Sequence, residues 1–310
     1  MVFGGSKGND EQIMITRRAF MSLIGYGALA SFATATYAAV IEPGFRLNTT
    51  IYKFTPPRWT PGLKLRAVLL ADPHLVEPHM PVQRWERIIE TANNLEPDIH
   101  LLLGDYVTAH RFRTAKVPVK LAAEAARALK SPLGTFAICG NHDWWDDRTA
   151  QKNKHGPTVA QKAFEDAGIP VMENRAVQLK KDGLPFWLSG TGSMVAIKKS
   201  RNWDFDSKAD IPAAMAMITD DAPIIHMAHE PDLFPEIPDR VSLTLSGHTH
   251  GGQVRLFGKS FVTPSSYGNR YAYGHMVEGG KHLVVSGGLG CSIIPIRFGM
   301  PPEIVVLELG

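Results

Sequence analysis

The chain is expected to be an α/β protein with two stacked sheets and helices on their outer faces. Three observations predict this. Short apolar runs at 67–71, 99–103 and 136–139 alternate with amphipathic stretches in the first half of the chain. From Val171 onward strand-like runs dominate. Several of the apolar runs also break into polar residues, glycine often marking the break. With 310 residues there is ample material for a large core.

Taken in order, the first charge-free segment is 19–41, directly after Thr16-Arg17-Arg18-Ala19-Phe20. Paired arginines before a Gly/Ala/Ser/Thr-rich apolar stretch resemble a twin-arginine export signal. About 20 apolar residues would also span a bilayer. Gly25, Gly27, Ser31, Thr34 and Thr36 weaken the span and favour the signal, with cleavage near 35–39 and retention as an anchor both open. Residues 1–41 are therefore expected to be a signal or anchor that engages export machinery. This would place the product in the periplasm or on the outer face of the cytoplasmic membrane. Pro56-Pro57 and Pro61-Gly62 predict a linker over 42–62, leaving 63–310 as one domain.

Helices are expected at 82–95, where Trp85, Ile88, Ile89, Ala92 and Leu95 recur at helical spacing, and at 119–129 and 158–167. Strands are expected at 176–179, 186–189, 224–227, 241–245, 282–285 and 304–309. The formal charge of +3 is spread without a Lys/Arg block, so neither a nucleic-acid arm nor a polybasic membrane patch is expected. Two cysteines, Cys139 and Cys291, exclude a disulfide framework and a Cys-type zinc site; whether they pair is left open.

The chemistry lies at the ends of the apolar runs. Asp72-Pro73-His74 follows the first, Gly104-Asp105 the second and Gly140-Asn141-His142-Asp143 the third. His229 and Gly247-His248-Thr249-His250 follow two later ones. Asp72 and His74, like His248 and His250, are two residues apart, so on an extended segment each pair faces one way. Mixed carboxylate, carboxamide and imidazole groups suit divalent metals such as Mn, Fe, Zn or Co. Each fragment is weak alone, but five of them at strand ends read as a two-metal site. His226, whose neighbours Met227 and Ala228 read as strand interior, reads as core or sheet face. His110, Arg111 and Arg113 follow Asp105 closely enough to meet substrate. Trp144-Trp145 reads as a substrate wall or a packed anchor, and Arg297 as a phosphate ligand or a cap on the last sheet.

These motifs resemble the calcineurin-like metallophosphoesterase superfamily from residue 63 to the C-terminus. The stretches 228–232, 247–255, 287–290, 295–298 and 301–304 are similar to the bacterial YkuE/YaeI-like branch, whose members also start with twin-arginine signals. The resemblance implies a four-layer α/β/β/α sandwich. It implies two divalent ions, one held by Asp72, His74, Asp105 and His250, the other by Asp105, Asn141, His229 and His248. A hydroxide shared by both ions would attack phosphorus in line. His142 would protonate the leaving oxygen, with Asp143 orienting its ring.

The expected activity is phosphodiester hydrolysis by a monomer, with lipid-linked diesters among the candidate substrates. Related phosphoprotein phosphatases carry Asp-Arg-Gly after the bridging Asp, and that Arg helps to hold a phosphate dianion. It is missing after Asp105. A second reading is a lipid-pathway pyrophosphatase acting on nucleotide-linked acylated sugars. A third, a non-catalytic scaffold, is disfavoured because every ligand position is filled.

Overall fold

The computed structural model describes residues 16–200 and 204–310. The first fifteen residues of the expected export segment lie outside the described residues. The chain divides into two units, 1–37 and 38–310. In the first, Thr16 caps the helix Arg17–Thr36 by accepting the Ala19 N–H at 3.2 Å, and none of that helix is buried. The continuous run Arg17–Phe45 is long and apolar enough to cross a membrane, a test that signal sequences also pass.

The second unit holds two sheets. In the first, the strands Asn48–Phe54, Glu303–Leu309, Leu65–Leu70, Ile99–Leu102 and Thr135–Ala137 lie side by side in that order. Glu303–Leu309 runs parallel to Asn48–Phe54 and antiparallel to Leu65–Leu70, and the last three are mutually parallel. In the second, the order is Gly274–Glu278, Lys281–Val285, Leu243–Ser246, Ile224–Met227, Leu184–Gly190 and Arg175–Lys181, with four parallel strands between two antiparallel edges.

The period-2 alternation of each strand divides its side chains between two cores. Leu65, Ala67, Leu69, Ile99 and Leu101 meet Phe186, Leu188, Ile225, Met227 and Leu243 between the sheets. Val68, Leu70, Leu102 and Val306 face outward onto Trp85, Ile88, Ala122 and Phe164 of the helices Val82–Asn93, Val119–Ala126 and Val159–Asp166. Burying each such large side chain contributes about 1.5–3 kcal/mol. Outside the second sheet the cover is thinner: Trp187 and Ile224 pack on Ile211 of the helix Ile211–Ala216 and on Leu233 of the 3-10 turn Pro231–Glu236. Four layers, α/β/β/α, result.

One expectation needs correction. The stretch read as a linker, 42–62, contains the strand Asn48–Phe54, paired over its whole length with the C-terminal strand. Chain from Ala38 also belongs to the compact unit: Glu42, 1 % exposed, accepts the backbone N–H groups of Gly299 and Met300, and Ala38 O accepts that of Arg297. The prolines at 56, 57 and 61 mark the connection between Asn48–Phe54 and Leu65–Leu70, which flank the C-terminal strand on either side.

Candidate metal centre

All seven predicted ligands meet at one end of the two sheets, at the C-terminal ends of parallel strands. Asp72 and His74 follow Leu65–Leu70, Asp105 follows Ile99–Leu102, and Asn141 follows Thr135–Ala137. His229 follows Ile224–Met227, and His248 and His250 follow Leu243–Ser246. All are buried apart from the half-buried His248. Five of the seven, Asp72, His74, Asp105, His248 and His250, have φ between 44° and 69°. This left-handed backbone turns each side chain off its strand into the shared space.

Two glycines make room for the carboxylates. A Cβ on Gly140 would lie 2.2 Å from Asp105 Oδ1, and one on Gly247 would lie 2.4 Å from Asp72 Oδ2. Both fall well inside van der Waals contact, so the approach requires glycine.

The donor atoms form two groups. Those of Asp72, His74 and His250 lie within 4.8 Å of one another, and so do those of Asp105, His229 and His248. Asp105 Oδ2 sits between the groups, 3.5 Å from His74 Nε2 and 3.3 Å from His229 Nε2. Asn141 Oδ1 joins the second group, 2.8 Å from His248 Nδ1 and 3.2 Å from His229 Nε2.

Backbone carbonyls orient the rings. His74 Nδ1–H donates to Val107 O at 2.8 Å and His229 Nδ1–H to Leu103 O at 2.6 Å, which turns both Nε2 atoms inward. His250 is held from behind by Arg297, whose Nη2 lies 3.1 Å from His250 Nδ1 and 2.9 Å from Gly287 O. Nη2 also reaches Gly290 O at 2.5 Å, and Nη1 donates to Met300 O at 2.9 Å. Two Nη2 hydrogens face three acceptors, so the bond to His250, the longest, can be given up when that ring changes tautomer. Arg297 is fully buried. It therefore does not bind phosphate; its donors are spent on carbonyls and on a metal-ligand candidate.

The electrostatics suit cations. Burial pushes the Asp72 carboxyl up to about 7, helped by Asp105 and opposed by His229. Burial would raise Asp105 too, but His229, His142 and His74 outweigh it and hold that carboxyl well below the usual range. His229 is raised well above an ordinary histidine, because Asp105 and Asp72 overcome its burial. His74, His248 and His250 are all lowered, burial first, so each offers a neutral imidazole with a free lone pair. Imidazoles and carboxylates converging on two points fit a pair of divalent ions.

His142 stands beside this centre, its ring 5.1 Å from that of His74 and 4.9 Å from that of Trp145. Burial, then the neighbouring histidines, push its imidazole down to about 3 despite Asp105. The expectation that Asp143 orients this ring is wrong. Asp143 Oδ2 accepts the N–H groups of Asp105 and Gly140, each at 2.8 Å, and Oδ1 accepts that of Tyr106 at 2.9 Å. Asp143 therefore ties the Asp105 loop to the Asn141 loop.

The other candidates sort simply. His226 is buried against Ser189 Oγ at 2.8 Å, as expected of a core residue. His110 is 3 % exposed, and neither ring nitrogen has a partner among the described residues. Arg113 bonds His110 O at 2.5 Å, and Arg111 and Arg113 are exposed. Trp144 is buried and bonds Glu173, whereas the half-buried Trp145 stands against His142. Cys139 and Cys291 are both free thiols, so they do not pair. The carbonyls of Leu103 and Val107 went unread in the sequence, because a backbone acceptor has no residue signature.

Residues 65–252 match the model of the calcineurin-like phosphoesterases. The chain belongs to that family. It is 29 % identical over 308 residues to the metallophosphoesterase YkuE of Bacillus subtilis (strain 168), covering 95 % of this chain and 98 % of that one. Over 307 residues it is 30 % identical to the phosphodiesterase YaeI of Escherichia coli (strain K12), covering 96 % and 100 %. A transmembrane protein with a metallophosphoesterase domain from Danio rerio is 28 % identical over 267 residues, 79 % of this chain and 53 % of that protein. The chain is thus a calcineurin-like metallophosphoesterase, a family of metal-dependent phosphoric ester hydrolases.

Proposed function

We propose that this metallophosphoesterase hydrolyses phosphodiesters on two divalent ions. The observation that carries the reading is the position of Asp105 Oδ2 between the two donor groups, within 3.5 Å of an imidazole from each. Asp72, His74 and His250 would hold one ion, and Asn141, His229 and His248 the other, with Asp105 common to both. When bound, such a pair supplies an activated water nucleophile and neutralises charge on the phosphoryl oxygens. The donor set admits Mn, Fe, Zn or Co.

The chain's own groups would do the rest. Leu103 O and Val107 O fix the tautomers of His229 and His74. His142 would meet the leaving oxygen. Its imidazole is neutral in the free site, and the negative charge of an arriving diester would raise its proton affinity at the point of use. Trp145 would hold the ring from behind.

A diester is favoured over a monoester because, among the described residues, neither Arg297 nor Arg113 offers its guanidinium to a bound phosphate. Arg297 is spent internally, and Arg113 is held by His110 O. A phosphate dianion would lack the bidentate partner it binds best. The twin-arginine motif and the apolar helix that follows support export, with the catalytic unit acting outside the cytoplasm as a monomer.

The test combines metal analysis with kinetics. Asp105→Asn should lower bound metal at both sites together, and wild-type kcat/KM should be higher for an aryl phosphodiester than for the matching monoester. Retention of both metals in the variant would refute the shared ligand. A monoester preference of about tenfold or more would refute the diesterase.

A further inference from the structure

We infer that the rim beside the metal centre, on the His250 side, rests on an anionic lipid bilayer, so that the site works on diesters at a membrane surface. The substrate half of this inference rests on the phosphodiesterase reading; the docking half does not.

Four segments, each hydrogen-bonded to the next, make up the rim. Residues 38–45 enter the domain through Ala38 O and Glu42, which bind the N–H groups of residues 297, 299 and 300. Phe298 O accepts the N–H of Arg255, at the start of the hairpin Arg255–Leu256/Lys259–Ser260. Gln253, three residues after His250, donates to Ile294 O and Ile296 O at 3.0 Å. Ser292–Ile293 then pairs with Ala109–His110. Arg297 ties the whole assembly to His250.

This rim is unusually apolar. Phe257 is fully exposed at 104 %, Phe261 is 82 % exposed and Val262 70 %. Ile293 at 63 % and Phe112 at 59 % continue the patch across the paired segments, and Phe45 at 79 % lies where the chain enters. Exposed apolar clusters of this kind mark an interaction surface.

Its charge and its continuity point to one occupant. Arg46, Arg111, Arg113 and Lys259 are exposed among these aromatic and aliphatic side chains. Across 38–48, 106–116, 251–277 and 286–302 the only carboxylate is Glu42, buried and bonded to backbone. Aromatic and aliphatic groups interleaved with exposed cations complement an anionic membrane interface, where both contributions add. The segment that feeds into the rim at Ala38 is the same apolar run, Arg17–Phe45, that is long enough to span a bilayer. A phosphodiester carried by lipid head groups would then lie at the depth of the rim, beside the metal-ligand candidates.

The test uses the full chain in bilayers containing phosphatidylglycerol. Single cysteines replace Phe257, Phe261 and, as a reference, Asp182, and each carries a spin label. Asp182 precedes the strand Leu184–Gly190, at the sheet end away from the centre; both native cysteines are buried and stay unlabelled. Labels at 257 and 261 should collide readily with oxygen and poorly with a polar nickel chelate, and the label at 182 the reverse. Nickel accessibility at 257 and 261 equal to that at 182 would overturn the inference. Low accessibility to both relaxants would mean that a protein surface covers the rim, and would overturn it equally.

A second arm separates the two readings. The Phe257→Ser/Phe261→Ser variant should lose about tenfold or more in turnover of a phospholipid diester in vesicles, because two rings no longer enter the interface. Its rate on a soluble aryl diester should stay unchanged. Equal rates on the vesicle substrate would sink the membrane-surface assignment. Failure of the wild type on both substrates would count against the phosphodiesterase alone, and the spin labels would still decide the docking.

Discussion

Removing the Asp143 carboxylate tests how the centre is built. Its two oxygens satisfy three buried backbone N–H groups, those of Gly140, Asp105 and Tyr106, at 2.8–2.9 Å, and the side chain is 2 % exposed. In Asp143→Ala all three donors lose their partner. A buried unsatisfied donor costs about 1–3 kcal/mol. Water entering the space left by the carboxylate will recover part of that, so the net loss is expected at about 3–5 kcal/mol. For a domain of this size that lowers Tm by roughly 10 °C. Because two of the freed groups lie on Asp105 and Tyr106, the loop carrying the shared carboxylate should loosen, and both metals should be lost together with activity. Asp143→Asn, which keeps one oxygen facing the N–H groups, should fall between. The measurements are a thermal melt and metal content per chain for all three proteins. If Asp143→Ala keeps the wild-type Tm and both metals but loses turnover, with the loss concentrated on poor leaving groups, then Asp143 acts through the His142 ring and the account of a backbone tie is wrong.

Three further outcomes are expected. His142→Ala should cost about 10²–10⁴ in rate with metal content near normal, and less for substrates with acidic leaving groups; a loss independent of the leaving group would exclude the proton-donor role. Burial holds His226 down at about 4, well below its unfolded value of 6.5. The unfolded chain therefore takes up a proton in that window that the folded chain refuses, and His226 costs stability as pH falls from 6.5 towards 4. His226→Gln should flatten the acid side of the Tm–pH curve, and an unchanged curve would refute the assignment. Arg17→Lys/Arg18→Lys should leave a folded, active protein in the cytoplasm; normal export of that variant would exclude the twin-arginine route.

The strands, the helices of the first sheet and all seven ligand candidates were legible because they follow simple periodicities. An apolar run that stops at glycine and continues into Asp, Asn or His is visible in one dimension. The strand Asn48–Phe54 was not, because an edge strand is half exposed and Thr49, Thr50 and Lys53 dilute its apolar signal beside three prolines. Gly274–Glu278 is likewise an edge strand, with no fully buried position. Arg297 was left open between a phosphate ligand and a cap on the last sheet because its sequence neighbours give no hint of burial; only the fold shows carbonyls from residues 287, 290 and 300 closing around it. The role of Asp143 was misassigned for the same reason. Adjacency to His142 suggested a contact that the local helix Asn141–Trp145 does not make, since neighbouring side chains on a helix diverge.

The residues gathered at the candidate centre also make it the costly part of the fold. Five non-glycine residues in the left-handed region carry about 1–2 kcal/mol of backbone strain each. Two buried carboxyls, Asp72 and Asp143, are pushed up to about 7, by burial first and by the neighbouring Asp105 second. Together these terms are of the same order as the stability of a whole domain, about 5–15 kcal/mol. They are offset by packing further down the strands, where Leu69, Leu101, Met227 and Leu245 fill the space between the sheets with no exposed surface. The division follows from strand geometry. The core takes the strand interiors, where alternation buries every second side chain. The chemistry takes the C-terminal ends, where the chain must leave the sheet in any case and a left-handed turn can aim a ligand inward.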